Sequence, residues 1–371
     1  MIIKKPPMGW NSWNTFGGEV CEKVIRDTAD AMVELGYKNA GYEYVVIDDW
    51  WSERKRGADG KIAVNKEKFP SGMKALSDYI HSKGLKFGMY SCAGTMTCGG
   101  FPASFEHEYE DAQMFADWGV DYLKYDFCYK PMHAVGKLLY NKMSMALKAT
   151  GRDILFSACN WGADDVETWI RSTGAHVYRS TGDIFDHFES VKFIAQSQFD
   201  KINYSATGCY NDMDMLICGM YGKGLVAKGG CTDAEYKTHF AMWCLMQSPL
   251  MIGGDITNMN DYCRNLLQNK GLIAINQDED GRPPMMVNWN KDRPVFFKHM
   301  ANGEYVLALF NLSDEDGMVG CEFFDIGVSA DHGFDFVDAI SGEKIGVVSE
   351  NLYETIPAHD CRVYRGKFVR V

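Results

Sequence analysis

Asp117-Trp118-Gly119-Val120-Asp121-Tyr122-Leu123-Lys124-Tyr125-Asp126 carries a helix end, a stop and a strand in one short run. Upstream, Glu108 to Trp118 is amphipathic and helix-like. Gly119 ends that helix, because glycine adopts left-handed backbone without a Cβ clash. Asp121 to Tyr125 then reads as a strand of aromatic and aliphatic residues. It finishes on a carboxylate, Asp126, two residues after a cation, Lys124. A strand that feeds chemistry into the loop beyond it, and is itself fed by a helix, is one turn of a βα repeat.

The same cycle recurs eight times between Met8 and about Asp278. Strands are expected over Met8 to Trp13, Tyr42 to Ile47, Lys86 to Ser91, Asp121 to Tyr125, Ile154 to Cys159, Val177 to Ser180, part of Tyr210 to Leu216, and Leu250 to Gly253. Between them, helices are expected over Cys21 to Leu35, Gly72 to Ser82, Glu108 to Trp118, Ala134 to Ala149, Val166 to Arg171, Asp186 to Gln196, Asp233 to Met246 and Met259 to Gln268. Thr232-Asp233 ahead of Ala234-Glu235 is a helix start, and Gly36, Gly84 and Gly119 are stops. Eight cycles in about 270 residues is the length of a closed (β/α)8 barrel. An open doubly wound sheet shares the pattern, but no GxGxxG follows the first strand.

After Gly281-Arg282-Pro283-Pro284 the rhythm changes to strands separated by turns: Val295 to His299, Glu304 to Phe310, Cys321 to Val328, Phe334 to Ile340, Ile345 to Ser349 and Arg362 to Phe368. Asn302-Gly303 and Ser341-Gly342 are turn signals. The fold class is therefore α/β: a TIM barrel over residues 1–280 followed by an antiparallel β-sandwich over residues 281–371. With no low-complexity linker, the two should pack firmly.

A net charge of -12 and 46% apolar residues describe a folded, acidic chain without the basic stripe a nucleic acid needs. Met1 to Pro7 lacks the apolar stretch of a signal peptide, and no later run is long enough to cross a membrane, so a cytoplasmic location is expected. The twelve cysteines form no CxxC pair and read as mostly buried thiols. HExxH and Cys/His zinc spacings, GxSxG elbows and P-loops are missing, so neither a metal nor a cofactor is expected.

The expected strand ends converge in type. They offer Trp10 and Trp13, Asp48-Asp49, Tyr90, Lys124 and Asp126, Cys159-Asn160-Trp161, Arg179 and Asp183, and Asp212 and Asp214. A pyranose has one apolar face and a rim of hydroxyls, so it is held by an aromatic platform with charged groups around it. Trp13 suits the platform; Asp48, Asp49 and Lys124 suit the rim. Glycoside cleavage passes through an oxocarbenium ion, which needs an anion beneath the ring and a proton donor at the leaving oxygen. Asp126 and Asp183 are the candidates. Lys124 should keep Asp126 ionised, and Asp183 would hold its proton through burial or the field of Asp126. Residue types alone do not divide the two roles.

Six motifs carry a resemblance. Met8-Gly9-Trp10-Asn11-Ser12-Trp13, Tyr44 through Asp48-Asp49, His81-Ser82-Lys83-Gly84-Leu85-Lys86, Asp117 through Asp126, Asn211-Asp212-Met213-Asp214-Met215-Leu216 and Ala274-Ile275-Asn276-Gln277-Asp278 resemble glycoside hydrolase family 27, which holds α-galactosidases and α-N-acetylgalactosaminidases. The likeness runs from about residue 7 to 280. It implies that Asp126 is the nucleophile and Asp183 the acid/base of a retaining double displacement. It also implies that Asp48, Asp49, Lys124, Arg179 and Asp214 bind sugar hydroxyls and that Trp13, Tyr90, Cys98 and Met215 line the pocket; Cys98 and Cys128 match a family disulfide beside the nucleophile, either paired or remaining as thiols.

Departures from the family pattern bear on substrate. Cys159-Asn160-Trp161 stands where a Cys-Glu-Trp is usual, and Ala163 replaces a larger residue. Both changes would open space at the sugar C2 and admit a 2-acetamido group, although Asn160 can still bond a 2-hydroxyl. Trp50 stands where a disulfide cysteine usually follows the acid pair, with no partner around Gly17-Gly18. It would crowd C6 and favour a β-L-arabinopyranoside. The leading expectation is an exo-α-galactosidase acting on a small-molecule α-galactoside, with an α-N-acetylgalactosaminide the closest rival and an inactive sugar-binding barrel the remotest. If the chain is a homo-oligomer, an exposed apolar patch on the sandwich is expected to join the copies.

Overall fold

The computed structural model describes residues 3–371; Met1 and Ile2, part of the start read above as leaderless, lie outside the described residues. Eight parallel strands, β1 (Met8–Asn11), β2 (Tyr44–Val46), β3 (Lys86–Cys92), β4 (Tyr122–Asp126), β5 (Leu155–Cys159), β6 (Val177–Arg179), β7 (Tyr210–Asp212) and β8 (Leu250–Ile252), form one sheet in the order β8-β1-β2-β3-β4-β5-β6-β7. The sheet closes just past β7. Leu216 bridges Ile252 in parallel, with the Leu216 N–H donating to the Met251 carbonyl and the Gly253 N–H to that of Leu216, each at 2.8 Å.

Strand alternation sorts the side chains. Val45, Ile47, Leu123, Tyr125, Phe156, Ala158 and Tyr178 face outward into the main core beneath the helices. Tyr44, Val46, Tyr122, Leu155 and Val177 face inward and form, with Met215 and Met251, the plug that fills the barrel. Continuing that inward phase up the strands brings Asp48, Lys124, Asp126, Cys159 and Arg179 to the carboxyl-terminal mouth. Register completes the layer, because Tyr90 pairs with Lys124, Lys124 with Ser157, Cys159 with Arg179 and Arg179 with Asp212.

The outer helices are α1 (Glu22–Glu34), α2 (Met73–Ser82), α3 (Glu108–Trp118), α4 (Gly136–Ala149), α5 (Phe188–Gln196), α6 (Asp233–Leu245), α7 (Asp261–Leu267) and α8 (Lys270–Asn276). Three expectations need correcting. The helix expected over Val166 to Arg171 is two 3-10 turns, Ala163–Thr168 and Ile170–Thr173, because Trp169 between them takes φ -130°, outside the helical range, and Asp164 and Asp165 just before the span take positive φ of 59° and 49°. Helix α8 was not anticipated; Asn269 starts it by accepting the Leu272 N–H, directly after α7. A hairpin of Ser52–Arg56 with Ile62–Val64 also went unread, its exposed charged strand lacking an apolar face.

The C-terminal part holds a six-stranded antiparallel sheet and a two-stranded one. The larger is ordered β9-β10-β11-β16-β13-β14, from β9 (Met285–Met286), β10 (Val295–His299), β11 (Glu304–Phe310), β13 (His332–Asp338), β14 (Lys344–Ser349) and β16 (Cys361–Arg370). The smaller pairs β12 (Gly317–Glu322) with β15 (Asn351–Ile356). The strand expected over Cys321 to Val328 thus ends at Glu322, and Phe323–Ile326 turn as a 3-10 segment before Gly327 at φ 82°. Strand β15 was unforeseen. Val295, Phe297, Leu307 and Leu309 fill the sandwich core, while Phe296, Val306, Ala308 and Phe310 join the barrel's core. One sheet face therefore seals against the barrel, as firm packing required.

Candidate active site

Nearly all the inward residues at the mouth share one cavity of about 190 Å³. It is lined by Trp13, Asp48, Asp49, Tyr90, Cys98, Lys124, Asp126, Arg179, Asp183, Asp214 and Met215, and further by Asn14, Cys159, Trp161, Ile184, Phe185, Leu225 and Val226. Asn160 and Ala163 do not line it, contrary to expectation. Asn160 is fully buried behind the wall, its amide donating to the Ala163 carbonyl at 2.7 Å and its Oδ1 left without a partner. The strand end turns at Trp161, φ 59°, which presents its own ring in their place. Trp50 is likewise outside the cavity, which removes the basis for crowding at C6.

The floor is a network of charges. Lys124 Nζ lies 2.8 Å from Asp48 Oδ2, which also accepts from Asn11 Nδ2 at 2.7 Å. Asp49 is held by two backbone donors, the Trp50 N–H on Oδ1 and the Gly99 N–H on Oδ2, each at 2.7 Å. Arg179 bridges Asp214 at 2.8 Å and Asp183 at 2.7 Å. Asp214 also accepts the Ile184 and Met215 N–H groups, and Trp243 Nε1 fixes its carbonyl at 2.7 Å. These contacts orient each carboxylate before any sugar arrives.

Burial sets the protonation balance. It pushes the Asp126 carboxyl up to about 6 despite the opposing pull of Lys124, with Asp48 adding to the rise. Lys124 does pull Asp126 towards the ionised form, as expected, but burial outweighs it. Burial works against the Lys124 ammonium too, but Asp48 and Asp126 outweigh it and raise its pKa. Asp212, under the floor, is pushed up to about 6 by burial against the pull of Arg179. Asp126 keeps one oxygen, Oδ1, with no hydrogen-bond partner. Asp183 also departs from expectation. Its side chain is 65% exposed at the mouth and paired with Arg179, not buried.

Cys98 and Cys128 are joined as a disulfide beside Asp126, with Cα atoms 5.2 Å apart; the other ten cysteines are free. Ligand atoms of Cys98, Cys128 and Asp126 lie within 4.8 Å of one another, but with the sulfurs bonded together Asp126 alone remains to hold a cation. Of the lining residues not singled out from sequence, Ile184 and Phe185 follow Asp183 directly. Leu225 and Val226 gave no signal, since they reach the cavity only because their N–H groups dock on the Asn14 carbonyl.

A (β/α)8 barrel gathering carboxylates, two cations and aromatic rings into a cavity of this size is the architecture of a glycoside hydrolase. Comparison with known proteins narrows the class. The family model of alpha galactosidase A matches residues 5–278, and that of the alpha galactosidase C-terminal beta sandwich domain matches residues 290–365. An alpha-galactosidase of Cyamopsis tetragonoloba is 41% identical over 360 residues, 97% of this chain and 85% of that one. Alpha-galactosidase A of Cellvibrio japonicus is 43% identical over 325 residues, covering 85% and 78%. The crystal structure of alpha-galactosidase I from Mortierella vinacea matches with a TM-score of 0.90 at 32% identity, covering 98% of this chain and 97% of that one. The chain belongs to glycoside hydrolase family 27, the α-galactosidase family.

Proposed function

We propose that the chain is a retaining exo-α-galactosidase that removes terminal α-galactosyl residues from short oligosaccharides. The observation that carries this is the meeting of two carboxylates, Asp126 and Asp183, in the wall of one cavity of one-sugar size, with the Lys124–Asp48 pair beside them. In the first step Asp126 attacks the anomeric carbon while Asp183 gives its proton to the leaving oxygen, forming a glycosyl–Asp126 ester and a free aglycone. In the second, Asp183 takes a proton from water, which attacks the same carbon from the side the aglycone left and releases Asp126.

Asp48, Asp49, Lys124, Arg179 and Asp214 bind hydroxyls, with Trp13, Tyr90, Cys98 and Met215 as walls. No cofactor enters this scheme. The α-N-acetylgalactosaminidase alternative loses support because Asn160 and Ala163 lie behind the wall, leaving Trp161 on the cavity side. We place the enzyme in the cytoplasm, since ten of its twelve cysteines are free and only Cys98 and Cys128 are paired. We take residues 281–371 as a sandwich domain distinct from the catalytic barrel of residues 1–280. Among the described residues no helix is long and apolar enough to cross a membrane.

The test is kcat/KM on matched p-nitrophenyl α-galactoside, α-N-acetylgalactosaminide and β-L-arabinopyranoside, with NMR of the first sugar released. The galactoside should lead by about tenfold or more, the scale on which pocket contacts discriminate, and the first product should be α-galactose. A preference for the acetamido sugar would overturn the assignment, and a β-anomer released first would overturn the mechanism.

A further inference from the structure

Trp50 is a bulky residue held at φ 74°, a backbone conformation that L side chains rarely take, and it stands next to the cavity residue Asp49. Backbone strain of this kind persists only where the surroundings enforce it. Its ring is wedged between two loops. A Cβ placed on Gly18, in the loop after β1, would lie 2.9 Å from the indole Cε3. One placed on Gly99, in the loop after β3, would lie 2.5 Å from the indole Nε1 and 2.9 Å from Asp49 Oδ2. Neither position therefore has room for a side chain. Phe101 packs on the ring at 5.2 Å, while Arg54 and Lys68 lie over it at 5.3 and 5.5 Å. The two cations also staple the loops: Arg54 Nη1 donates to the Gly99 carbonyl at 3.0 Å, and Lys68 Nζ to the Gly18 and Trp50 carbonyls at 2.5 and 3.2 Å.

Beside the Thr97 side chain, the backbone donors that orient Asp49 come from the two ends of this wedge. One is the N–H of Trp50 itself; the other is that of Gly99, against which the indole presses. We propose that Trp50 is a positioning residue: its ring, locked between Gly18 and Gly99, fixes the two N–H groups that aim the Asp49 carboxylate at the sugar. This rests on the reading of Asp49 as a sugar ligand given above. Trp50 touches no substrate and lines no part of the cavity. Its effect is exerted wholly through Asp49, and so it belongs to sugar affinity and not to the chemical step.

The experiment compares wild type, Trp50→Ala, Trp50→Phe and Gly18→Ala in hydrolysis of p-nitrophenyl α-galactoside and in calorimetric binding of galactose. Loss of binding common to ground and transition states raises KM and spares kcat, so Trp50→Ala should raise KM and the galactose Kd by about tenfold with kcat within about threefold. Trp50→Phe should recover most of the loss. Gly18→Ala, which forces the ring to shift while leaving Trp50 in place, should reproduce the rise in KM. A merely structural role would lower the active fraction, and hence apparent kcat, at unchanged KM; that result overturns the proposal. So does an unaltered KM in both Trp50→Ala and Gly18→Ala. A wild type that neither hydrolyses the galactoside nor binds galactose would instead overturn the functional reading beneath it.

Discussion

Asp126 is ionised in the fold at a cost. Its carboxyl is 5% exposed and is pushed from 3.8 up to about 6, burial outweighing Lys124. Catalysis as proposed needs the carboxylate, so kcat/KM should fall as pH drops through about 6, and a pH–rate profile with its acid limb near 4 would contradict this. Stability runs the other way. A carboxyl whose folded pKa is raised favours the folded state below its unfolded value and loses that contribution as pH rises through the folded one. At neutral pH the loss is on the order of 3 kcal/mol. Asp126→Asn should therefore abolish turnover and raise Tm at pH 7, while at pH 3.5 the gain in Tm should largely vanish. The inward phase that places Lys124 and Asp126 at the mouth was legible in the sequence, because strand alternation dictates it. The exposure of Asp183 was not. It depends on a loop after β6 whose path no periodicity encodes. The place of Asn160 was not legible for a similar reason: the left-handed turn at Trp161 exchanges which residue lines the cavity.

Helix α6 shows what local sequence can settle. Thr232 Oγ1 accepts the Glu235 N–H, and the Glu235 carboxylate returns a bond to the Thr232 N–H, closing a reciprocal cap. Glu235 also reaches His359 in the sandwich at 2.7 Å, and His359 stacks on Phe188 of α5 at 4.0 Å. Thr232→Ala should cost about 1 kcal/mol in urea unfolding with kcat unchanged, since Thr232 does not line the cavity. Strand and helix positions were mostly readable in the barrel, where a buried parallel strand is a compact apolar run between glycine stops. Failures cluster in short or charged segments without an apolar face, as in the Ser52–Arg56 hairpin strand, and where the partner is distant in sequence, as in β15, whose exposed residues are ordered by pairing with β12.

Between barrel and sandwich, Lys298 of β10 is fully buried against Asp278, its Nζ 3.2 Å from Asp278 Oδ2 and 2.5 Å from the Arg282 carbonyl. Removing one member of such a pair strands the other charge, so Lys298→Ala should destabilise by about 3–5 kcal/mol, whereas Lys298→Met with Asp278→Asn should recover most of it. Equal unfolding free energies for the single and double variants would refute this coupling. Sequence foretold that the two parts meet firmly but not which groups do the joining, because the pairing spans the junction. The openness of the barrel's mouth reaches beyond hydrolysis. With Asp183 standing in solvent, the face from which water would strike the proposed sugar–Asp126 ester is equally accessible to other hydroxyl compounds. In dilute solution water wins by abundance. In a concentrated sugar syrup the same intermediate should be captured by a second saccharide, and the enzyme would lengthen chains instead of trimming them.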